Sequence, residues 1–435
     1  CILAGQDVPS YSSNKDLALI NAVYHFSNHL TLKDNTFYKG SFAMVNEYLN
    51  SEVTTSDMIS IQNNTFNENS YGVDFQRLNR IDIENNRFHL MKNTAIRLGY
   101  TTGSLKIMNN YIDYLAGNGI YLYHSNSDST KVIANNSLRT YGTGSNLQEN
   151  VRLENINYLK VYHNTFRHNT GINTSTFMAN GSVANLEFVN NIVYKQNNGY
   201  AATFQNTVGV DATSHNIFFN AQGPNVINWG GQNINSTEDF ANYGLHHNSQ
   251  VANPLFVDIT NNLQADSPAI DSATLINWLN TDIDGNSRGE MPDRGAHEYV
   301  IPVFNPPLNL TAVPGYNKVV LNWTDPEGLM PAGFNIFRND IQINSEIVTL
   351  NTFTDNIVSS EEQSYYVTAV YVNPYQGESE PSNTVTATPI TPVFPSPNNL
   401  NANAYYNRIA LVWLPPIIIP QGSDFSAKKL TDSRL

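Results

Sequence analysis

Asparagine recurs along this chain at nearly regular intervals, each time just after a short alternating strand. The recurring turn residues are Asn35, Asn64, Asn86, Asn110, Asn136, Asn164, Asn191 and Asn216, spaced by 22 to 29 residues. A strand such as Leu105-Lys-Ile107 precedes each one, and a short apolar pair such as Thr65-Phe66 follows it. A fixed period of this length is typical of a repeat architecture, which constrains the fold more than any other feature of the chain.

Each repeat unit holds about three short strands, too few to bury a core alone. The units become stable if they coil and stack, so that each strand pairs with its equivalent in the next coil. An asparagine at the same turn of every coil then forms a ladder of side-chain amide hydrogen bonds. A leucine-rich repeat is the competing architecture, but the LxxLxLxxN spacing is missing and the gaps are uneven.

The diffuse repeat over residues 31–220 resembles the right-handed parallel β-helix of the pectate-lyase-like superfamily. The resemblance implies an all-β fold, with a β-helix of three short strands per coil over residues 1–250. Residues 251–300 are similar to the C-terminal closing segment of secreted bacterial β-helix proteins. We expect this segment to cover the exposed edge and apolar cross-section of the last coil. Ser236-Thr-Glu-Asp predicts a short helix that helps to close that end.

A second type of pattern begins after the proline-rich linker Pro302–Pro307. Short alternating strands with one early tryptophan, Trp323, follow at the spacing of a β-sandwich. Residues 301–390 therefore resemble a bacterial fibronectin type III domain. The resemblance places Trp323 in the core and Tyr365, Val367 and Ala369 on a late strand.

Part of this pattern then recurs. NLTAVPGYNKVVLNW (309–323) is matched by NLNANAYYNRIALVW (399–413), which puts Trp413 in the place of Trp323. No further sandwich strands follow, and two strands cannot bury a core. We expect residues 391–435 to be the truncated start of a second fibronectin type III domain, partly disordered, and to reflect a truncated or shifted reading frame.

Charge and cysteine content limit the partners and the compartment. The formal net charge is −14 and there is no basic tract, which argues against duplex nucleic acid as a partner. No apolar run is long enough for a transmembrane segment. Cys1 is the only cysteine, and the chain lacks an initiating methionine, so we expect a processed N-terminus or a fragment. We expect a monomer that is secreted or lies on the bacterial cell surface.

The resemblance implies that a polysaccharide lies along the glycine-flanked strand of each coil. Strict alternation sends one set of side chains on these strands inward, namely Val73, Phe75, Ile96, Leu98, Ile120, Leu122, Val151 and Leu153. The set predicted to face outward comprises Asp74, Arg97, Tyr121, Tyr123, Arg152, Glu154, Thr176 and Thr203. Stacked coils are roughly 4.8 Å apart, close to the repeat of a sugar chain.

This outward row suggests a β-elimination site. Arg97 and Arg152 flank Tyr121 and can neutralise a uronate carboxylate, while Tyr121 or His124 acts as the base. Arg97, Tyr121, Arg152 and His124 are therefore the candidate catalytic residues. The candidate substrate contacts are Asp74, Tyr123, Glu154, Thr176 and Thr203. Two alternatives stay open: the tyrosines form only a sugar platform, or the charges form ordinary cross-strand ion pairs.

Only one metal candidate is present. Asp282, Asp284 and Asn286 alternate along one loop, as oxygen ligands of calcium do. A structural turn held by Arg288 and Arg294 is the stronger interpretation. The histidines show no zinc spacing, and no Ser-His-Asp constellation is evident from the sequence.

Two functions of different classes follow. The first is a protein that binds or processes extracellular polysaccharide, as a lyase acting on an acidic glycan. The second is a non-catalytic surface or adhesion scaffold. A clustered Arg/Tyr/His cleft favours the enzyme, whereas a flat face on which the charges pair with one another favours the scaffold.

Overall fold

The computed structural model describes most of the chain as two compact units, Cys1–Ile301 and Pro302–Leu435. The described residues are 1–7, 14–23, 29–47, 58–113, 116–141, 148–170, 173–243, 247–257, 260–357, 359–372, 375–391 and 396–414. No helix among them is long and apolar enough to cross a membrane.

Three parallel β-sheets, here called sheets A, B and C, form the first unit. Along the chain, each coil contributes one strand to sheet B, then one to sheet C, then one to sheet A. Sheet A comprises Ile2–Ala4, Thr36–Tyr38, Thr65–Asn67, Arg87–His89, Tyr111–Asp113, Ser137–Thr140, Thr165–His168, Ile192–Lys195, Ile217–Asn220 and Gln250–Val251. All its pairings are parallel and in register with the equivalent strand of the next coil. The predicted parallel β-helix is confirmed.

Sheets B and C supply the longer faces. Sheet B comprises Ile20–Val23, Phe42–Glu47, Tyr71–Gln76, Ile96–Gly99, Ile120–Ser125, the first half of Val151–Tyr162, Phe177–Asn180, Ala202–Phe204, Ile227–Trp229 and the antiparallel Gln232–Ile234. Sheet C comprises His29–Lys33, Met58–Gln62, Arg80–Glu84, Leu105–Met108, Lys131–Ala134, the second half of Val151–Tyr162, Ala184–Val189 and Val210–Ser214. One strand, Val151–Tyr162, thus belongs to both sheets and joins them.

The turn from sheet C to sheet A contains two residues, as in Asn85-Asn86. The two positions have different conformational and hydrogen-bonding requirements. The first residue always has a positive φ, between 49° and 63°, and is Asp34, Asn63, Asn85, Asn109, Asn135, His163, Asn190 or His215. Asn, Asp and His tolerate this left-handed conformation better than other non-glycine residues. The second residue is always the ladder asparagine.

The predicted ladder is continuous from Asn35 to Asn216. Each side-chain Nδ2 donates to the Oδ1 of the next asparagine at 2.9–3.2 Å. The same Oδ1 also accepts the backbone N–H of the preceding rung, as when Asn86 N donates to Asn110 Oδ1 at 3.0 Å. The backbone N–H of the last rung, Asn216, donates to Ser249 Oγ at 3.1 Å, and the ladder ends there. The side chains therefore satisfy backbone groups that the turn leaves unpaired inside the core.

Alternation buries one apolar row from each sheet. Phenylalanines stack on the inner side of sheet A, where the ring centroids of Phe66 and Phe88 are 4.4 Å apart. The same aromatic column continues through Phe37, 5.0 Å from Phe66. All three rings are fully buried, so the inner row of sheet A forms the spine of the core.

The end of the last coil is closed by elements that precede residue 251. Gln232–Ile234 turns back as an antiparallel strand, and a 3-10 helix follows at Glu238–Asn242. Phe240 packs on the last coil, its ring 6.3 Å from that of Phe218. Asp239 accepts the backbone N–H groups of Asn235 and Ser236, each at 2.9 Å. The predicted helix start at Ser236 is confirmed.

Residues 251–300, called here the lateral segment, lie elsewhere than predicted. Instead of covering the end of the last coil, their described part runs back along the outer side of sheet A. Phe256, Leu263 and Ala269 cover outward-facing apolar residues of that sheet, among them Ile192 and Ile217. The physical reason is that these coils carry apolar side chains on both faces of sheet A, so the outer face needs a cover as well.

The lateral segment reaches far back along the stack. Asn261 Nδ2 donates to Ser137 Oγ at 2.8 Å, and Arg288 Nη2 donates to Asn135 Oδ1 at 2.8 Å. Asp293 O lies 3.1 Å from Nδ1 of the buried His163. These contacts join residues more than one hundred positions apart, so several coils are held by one continuous piece of chain.

The second unit contains two antiparallel sheets that share a core. One sheet is Leu308–Gly315, Lys318–Thr324 and Thr352–Asn356. The other is Gly333–Arg338, Ile341–Gln342, Gln363–Tyr371, Gly377–Glu378 and Val385–Ala387. Trp323, Tyr365, Val367 and Ala369 are all buried in the shared core, as predicted.

Beyond this core, the described residues 396–414 form a hairpin of Asn398–Tyr405 with Arg408–Leu414. Trp413 is 52% exposed there, unlike its buried counterpart Trp323. Two strands thus bury no core of their own, in line with the sequence argument. The partial disorder predicted for residues 391–435 also concerns positions 392–395 and 415–435, which lie outside the described residues.

Buried histidines make the β-helix sensitive to acid. His168 is fully buried, with Nε2 3.0 Å from Gln148 O and Nδ1 3.0 Å from Lys195 Nζ. Burial, and then the charge of Lys195, lower the pKa of His168 to about 3. Burial also holds the pKa of His163 well below its ordinary value. Both rings therefore stay neutral in the folded state while the unfolded chain takes up protons below pH 6.5.

We expect the contribution of these two histidines to the free energy of unfolding to fall as pH drops from 6.5 towards 3. For His168 the loss is about 2 kcal/mol at pH 5, since each pH unit is worth about 1.4 kcal/mol. Urea unfolding followed by circular dichroism at pH 7 and pH 5 measures this difference. In His168→Gln the difference between the two pH values should shrink by that amount. Thr170→Val, which removes a hydrogen bond to the same ring, should weaken the fold equally at both pH values.

Candidate functional site

The predicted row of polar side chains lies side by side on the outer face of sheet B. Asp74 pairs in register with Arg97, Arg97 with Tyr121, and Tyr121 with Arg152. The residues predicted to point inward are all buried, so the predicted phase of alternation is confirmed. In the next two coils the row continues with Met178 and Thr203.

A second outward row runs two residues further along each strand. Tyr123 pairs in register with Gly99 on one side and Glu154 on the other. The ring of Tyr123 lies directly over Gly99, where a β-carbon would fall 2.2 Å from Tyr123 Cζ. A larger residue at position 99 would therefore displace the ring.

Two predicted substrate contacts are placed differently from expectation. Thr176 does not join the row, because the strand begins at Phe177 and places Met178 opposite Arg152. The Thr176 side chain is fully buried and donates to Tyr194 O at 3.0 Å. Thr203 keeps its register, but it is only 5% exposed, and its hydroxyl lies 2.7 Å from Ser175 Oγ.

Arg97 is neutralised by its neighbour. Its Nε lies 2.9 Å from Asp74 Oδ1, and its Nη2 lies 2.8 Å from Asp74 Oδ2, a two-point ion pair. Asp74 is 2% exposed, and burial raises the pKa of its carboxyl while Arg97 opposes the rise. The guanidinium also lies over the Tyr71 ring, 5.5 Å from its centroid. If Arg97 turned to a uronate, it would leave a buried carboxylate uncompensated.

Arg152 is also engaged within the protein. It binds Glu154 through Nε at 2.9 Å and through Nη2, and Glu149 lies 3.7 Å from its Nη1. Tyr121 donates its hydroxyl to Glu154 Oε2 at 2.6 Å. Burial and this hydrogen bond raise the pKa of Tyr121 to about 12. At neutral pH the phenol is thus a donor, and a group with such a pKa is poorly suited to abstract a proton.

Four aromatic rings, here called the aromatic ledge, occupy the far edge of the same face: Tyr100, Tyr121, Tyr123 and His124. Tyr121 and Tyr123 have ring centroids 5.1 Å apart, and Tyr100 meets Tyr123 edge-on at 5.5 Å. His124 stacks on Tyr100 at 5.2 Å. Tyr100 is 43% exposed and His124 is also exposed, so the ledge faces solvent.

A shallow recess of about 300 Å³ adjoins the ledge. Its lining comprises Arg77, Tyr100, Thr101, Thr102, His124, Asn126 and Ser127. Arg77 lies 5.9 Å from the centroid of the Tyr100 ring. The recess therefore combines an aromatic wall with hydroxyl, amide and guanidinium groups, which suits a ligand with both apolar faces and hydroxyls.

The proposed calcium loop is closed by its own hydrogen bonds. Asp282 Oδ1 accepts the backbone N–H groups of Asp284 and Asn286 at 2.9 and 2.7 Å. Asp282 Oδ2 accepts from Glu298 N at 2.8 Å, and Asp284 Oδ2 lies 2.9 Å from His297 Nδ1. No three His, Cys, Asp or Glu side chains among the described residues are grouped to share a metal ion. The structural turn is the better interpretation, but the two arginines do not hold it as predicted. Arg288 pairs with Glu298 rather than with the loop aspartates, and Arg294 donates to the backbone oxygens of Ser272 and Asn216.

One constellation was not evident in the sequence. His297 Nδ1 faces Asp284, and its Nε2 lies 3.2 Å from Ser137 Oγ, the connectivity of a Ser-His-Asp triad. Ser137 is 3% exposed beneath the lateral segment, and Asn261 already donates to its hydroxyl. A substrate cannot approach Ser137 in this arrangement, so the three residues fasten the lateral segment to sheet A. Their wide separation in sequence hid them.

Comparisons with known proteins bear on the fold more than on the site. The family model described as a right-handed beta helix region matches residues 19–145 and 54–239, together just over half of the chain. No curated protein sequence matches at a significant level. A solved structure titled "Myokine structure" is 23% identical, with a TM-score of 0.17, over 20% of this chain and 98% of that one.

A second solved structure is the β-1,2-glucanase from Parabacteroides distasonis. It is 23% identical with a TM-score of 0.18, and the match covers 23% of this chain and 15% of the glucanase. The chain thus spans only a small part of that enzyme. With such low TM-scores, neither structure supports an argument about the site.

Proposed function

Since the chain belongs to the right-handed β-helix family, we propose that sheet B is a polysaccharide-binding face and that the protein is a non-catalytic binding scaffold. One observation carries the proposal: a solvent-facing aromatic ledge lies beside two arginines that are already paired with their own carboxylates. Aromatic faces bind the apolar faces of sugar rings, whereas paired arginines have little charge left for a uronate.

The wider setting is part of the same proposal. We take the protein to act outside the bacterial cell or on its surface, where extended polysaccharides occur. The second unit, with two antiparallel sheets and a core around Trp323, is proposed to be a fibronectin type III module.

We expect Tyr123→Ala to weaken binding about tenfold, since one stacked aromatic ring is worth on the order of 1–1.5 kcal/mol. Affinity electrophoresis in gels containing neutral glycans or polyuronates measures the change. Tyr38→Ala is the matched control, because Tyr38 is an outward-facing, half-buried tyrosine on sheet A. Equal retardation of wild type, Tyr123→Ala and Tyr38→Ala would show that the aromatic ledge does not bind the glycan.

A polysaccharide lyase is the second candidate, because Arg97, Tyr121 and Arg152 do share one row. The purified protein is incubated with polyuronates, and the ultraviolet absorbance of an unsaturated uronate is followed. We expect no product. Product formation that is lost in both Arg97→Ala and Arg152→Ala would replace the scaffold proposal with the lyase.

A further inference from the structure

Two arginines of the lateral segment are buried, and only one has a counter-ion. The Arg288 side chain is fully buried and pairs with Glu298. Arg294 is 3% exposed; its Nε donates to Ser272 O at 3.0 Å, and its Nη1 donates to Asn216 O at 3.4 Å. No carboxylate in the described part of the chain forms an ion pair with Arg294. A buried guanidinium without an anion is costly, which makes Arg294 the exception to be explained.

Arg294 lines an open recess of about 400 Å³ beside the last rungs of the ladder. The polar residues that line it include His215, Thr237, Ser249, Asp271, Ser272 and Arg294. Its volume is large enough for a polyatomic anion together with water.

Two hydroxyls in this lining still have a proton to donate. Ser249 Oγ accepts the backbone N–H of Asn216 at 3.1 Å, and Thr237 Oγ1 accepts that of Val251 at 2.9 Å. Neither hydroxyl has an acceptor for its own proton among the described residues. Each hydroxyl therefore keeps an O–H that can rotate towards a ligand in the recess.

His215 adds a third unpaired donor. Asn248 Nδ2 donates to its Nε2 at 2.9 Å, so the neutral ring carries its proton on Nδ1. That Nδ1 is buried and has no partner in the described structure. Burial, then the charges of Arg294 and His247, lower the pKa of His215, which keeps the ring neutral near pH 7.

One carboxylate, that of Asp271, also lines the recess. Asp271 lies in the lining with its side chain exposed and forms no ion pair with Arg294 within 4 Å. Burial alone lowers the pKa of Arg294 to about 10, so the guanidinium remains charged at neutral pH. An anion would thus meet an uncompensated cation on the inside and a weakly repelling carboxylate at the rim.

We propose that this recess binds a small oxyanion, namely a sulfate, phosphate or carboxylate group, through the guanidinium of Arg294 and the unpaired donors around it. An oxyanion accepts several hydrogen bonds at once and neutralises the buried charge. The site is independent of sheet B and of the polysaccharide proposed to bind there.

Isothermal titration of the full chain with sulfate, phosphate, acetate and galacturonate, at constant ionic strength in chloride, tests the proposal. Asp271→Asn should tighten binding about fivefold, because it removes the like charge at the rim without touching a buried group. Thr237→Val should weaken binding about fivefold, the value of one neutral hydrogen bond. Arg294→Gln should abolish binding, with its fold checked by circular dichroism. Ser182→Ala, an exposed hydroxyl outside the recess, should leave binding unchanged.

The ligand series separates the sources of the anion. Binding of sulfate and phosphate alone supports a free inorganic oxyanion, whereas binding of acetate and galacturonate supports the carboxylate of an acidic ligand. Absence of binding by all four at millimolar concentration overturns the proposal. Binding that is the same in wild type, Asp271→Asn and Thr237→Val also overturns it, because the anion would then lie elsewhere.

Discussion

Asn136→Ala is expected to lower the free energy of unfolding of the β-helix by about 4 kcal/mol or more. The side chain is fully buried, and its Oδ1 accepts both the backbone and the side-chain N–H groups of Asn110 at 3.0 and 2.9 Å. Its Nδ2 donates to Ile107 O and Ala134 O at 2.8 and 3.0 Å, and to the next rung. Alanine removes all five bonds and leaves buried partners unsatisfied, at about 1–3 kcal/mol each before relaxation.

The end of the ladder provides the control. Asn35 is only half-buried, and its side chain donates to Lys33 O and Asn64 Oδ1 at 2.9 and 3.2 Å. Asn35→Ala should therefore cost only about 1–2 kcal/mol. Urea unfolding followed by far-ultraviolet circular dichroism compares the two variants. If both lost the same stability, the ladder would not act as a buried network.

Arg288→Met is expected to cost about 3–5 kcal/mol, because it breaks a buried ion pair and leaves one partner charged. Besides pairing with Glu298, the guanidinium donates hydrogen bonds to Asn135 Oδ1 at 2.8 Å, Gly295 O at 2.9 Å and Asp293 O at 3.2 Å. All these acceptors lie where the lateral segment meets the coils. Amide hydrogen exchange should therefore accelerate most in residues 282–298, more than in the ladder turns.

The pH dependence of this variant distinguishes a lost ion pair from lost packing. Burial raises the pKa of Glu298 to about 7, above its ordinary 4.5. A raised acid pKa stabilises the fold below pH 4.5, and this contribution is lost as pH rises through 7. Without Arg288 the charged form has no partner, so the defect should be larger at pH 8 than at pH 5. Adding Glu298→Gln should remove that difference; an equal defect at both pH values would indicate packing alone.

The coil architecture could be predicted because it depends on a periodic requirement. Every coil must satisfy the same unpaired backbone groups, and an asparagine amide does so at each turn, from Asn35 to Asn216. The alternation that buries Val73 and Phe75 likewise fixes which side of the strand holds Asp74. Both signals are local, so a single sequence contains them.

The remainder depends on contacts that no local pattern encodes. The predicted position of Thr176 is wrong because its strand begins one residue later, at Phe177. The lateral segment was recognised, but its docking on sheet A rests on pairs such as Arg288 with Asn135. The row on sheet B was predicted, but the carboxylate that pairs with each arginine was not. These ion pairs are the observation that favours a binding role over a catalytic one.

The corner between sheets C and A always contains two residues, such as Asn85 and Asn86 between Glu84 and Arg87. The other two corners vary in length. Between sheets A and B the connection ranges from three residues, between Tyr38 and Phe42, to fifteen, between Ala4 and Ile20. Between sheets B and C it ranges from none, within Val151–Tyr162, to ten, between Glu47 and Met58. Insertions and deletions therefore fall at the two corners that flank sheet B, and the corner between sheets B and C borders the aromatic ledge. Such a chain can evolve new ligand preferences by exchanging loops there, while the asparagine corner keeps the stack in register.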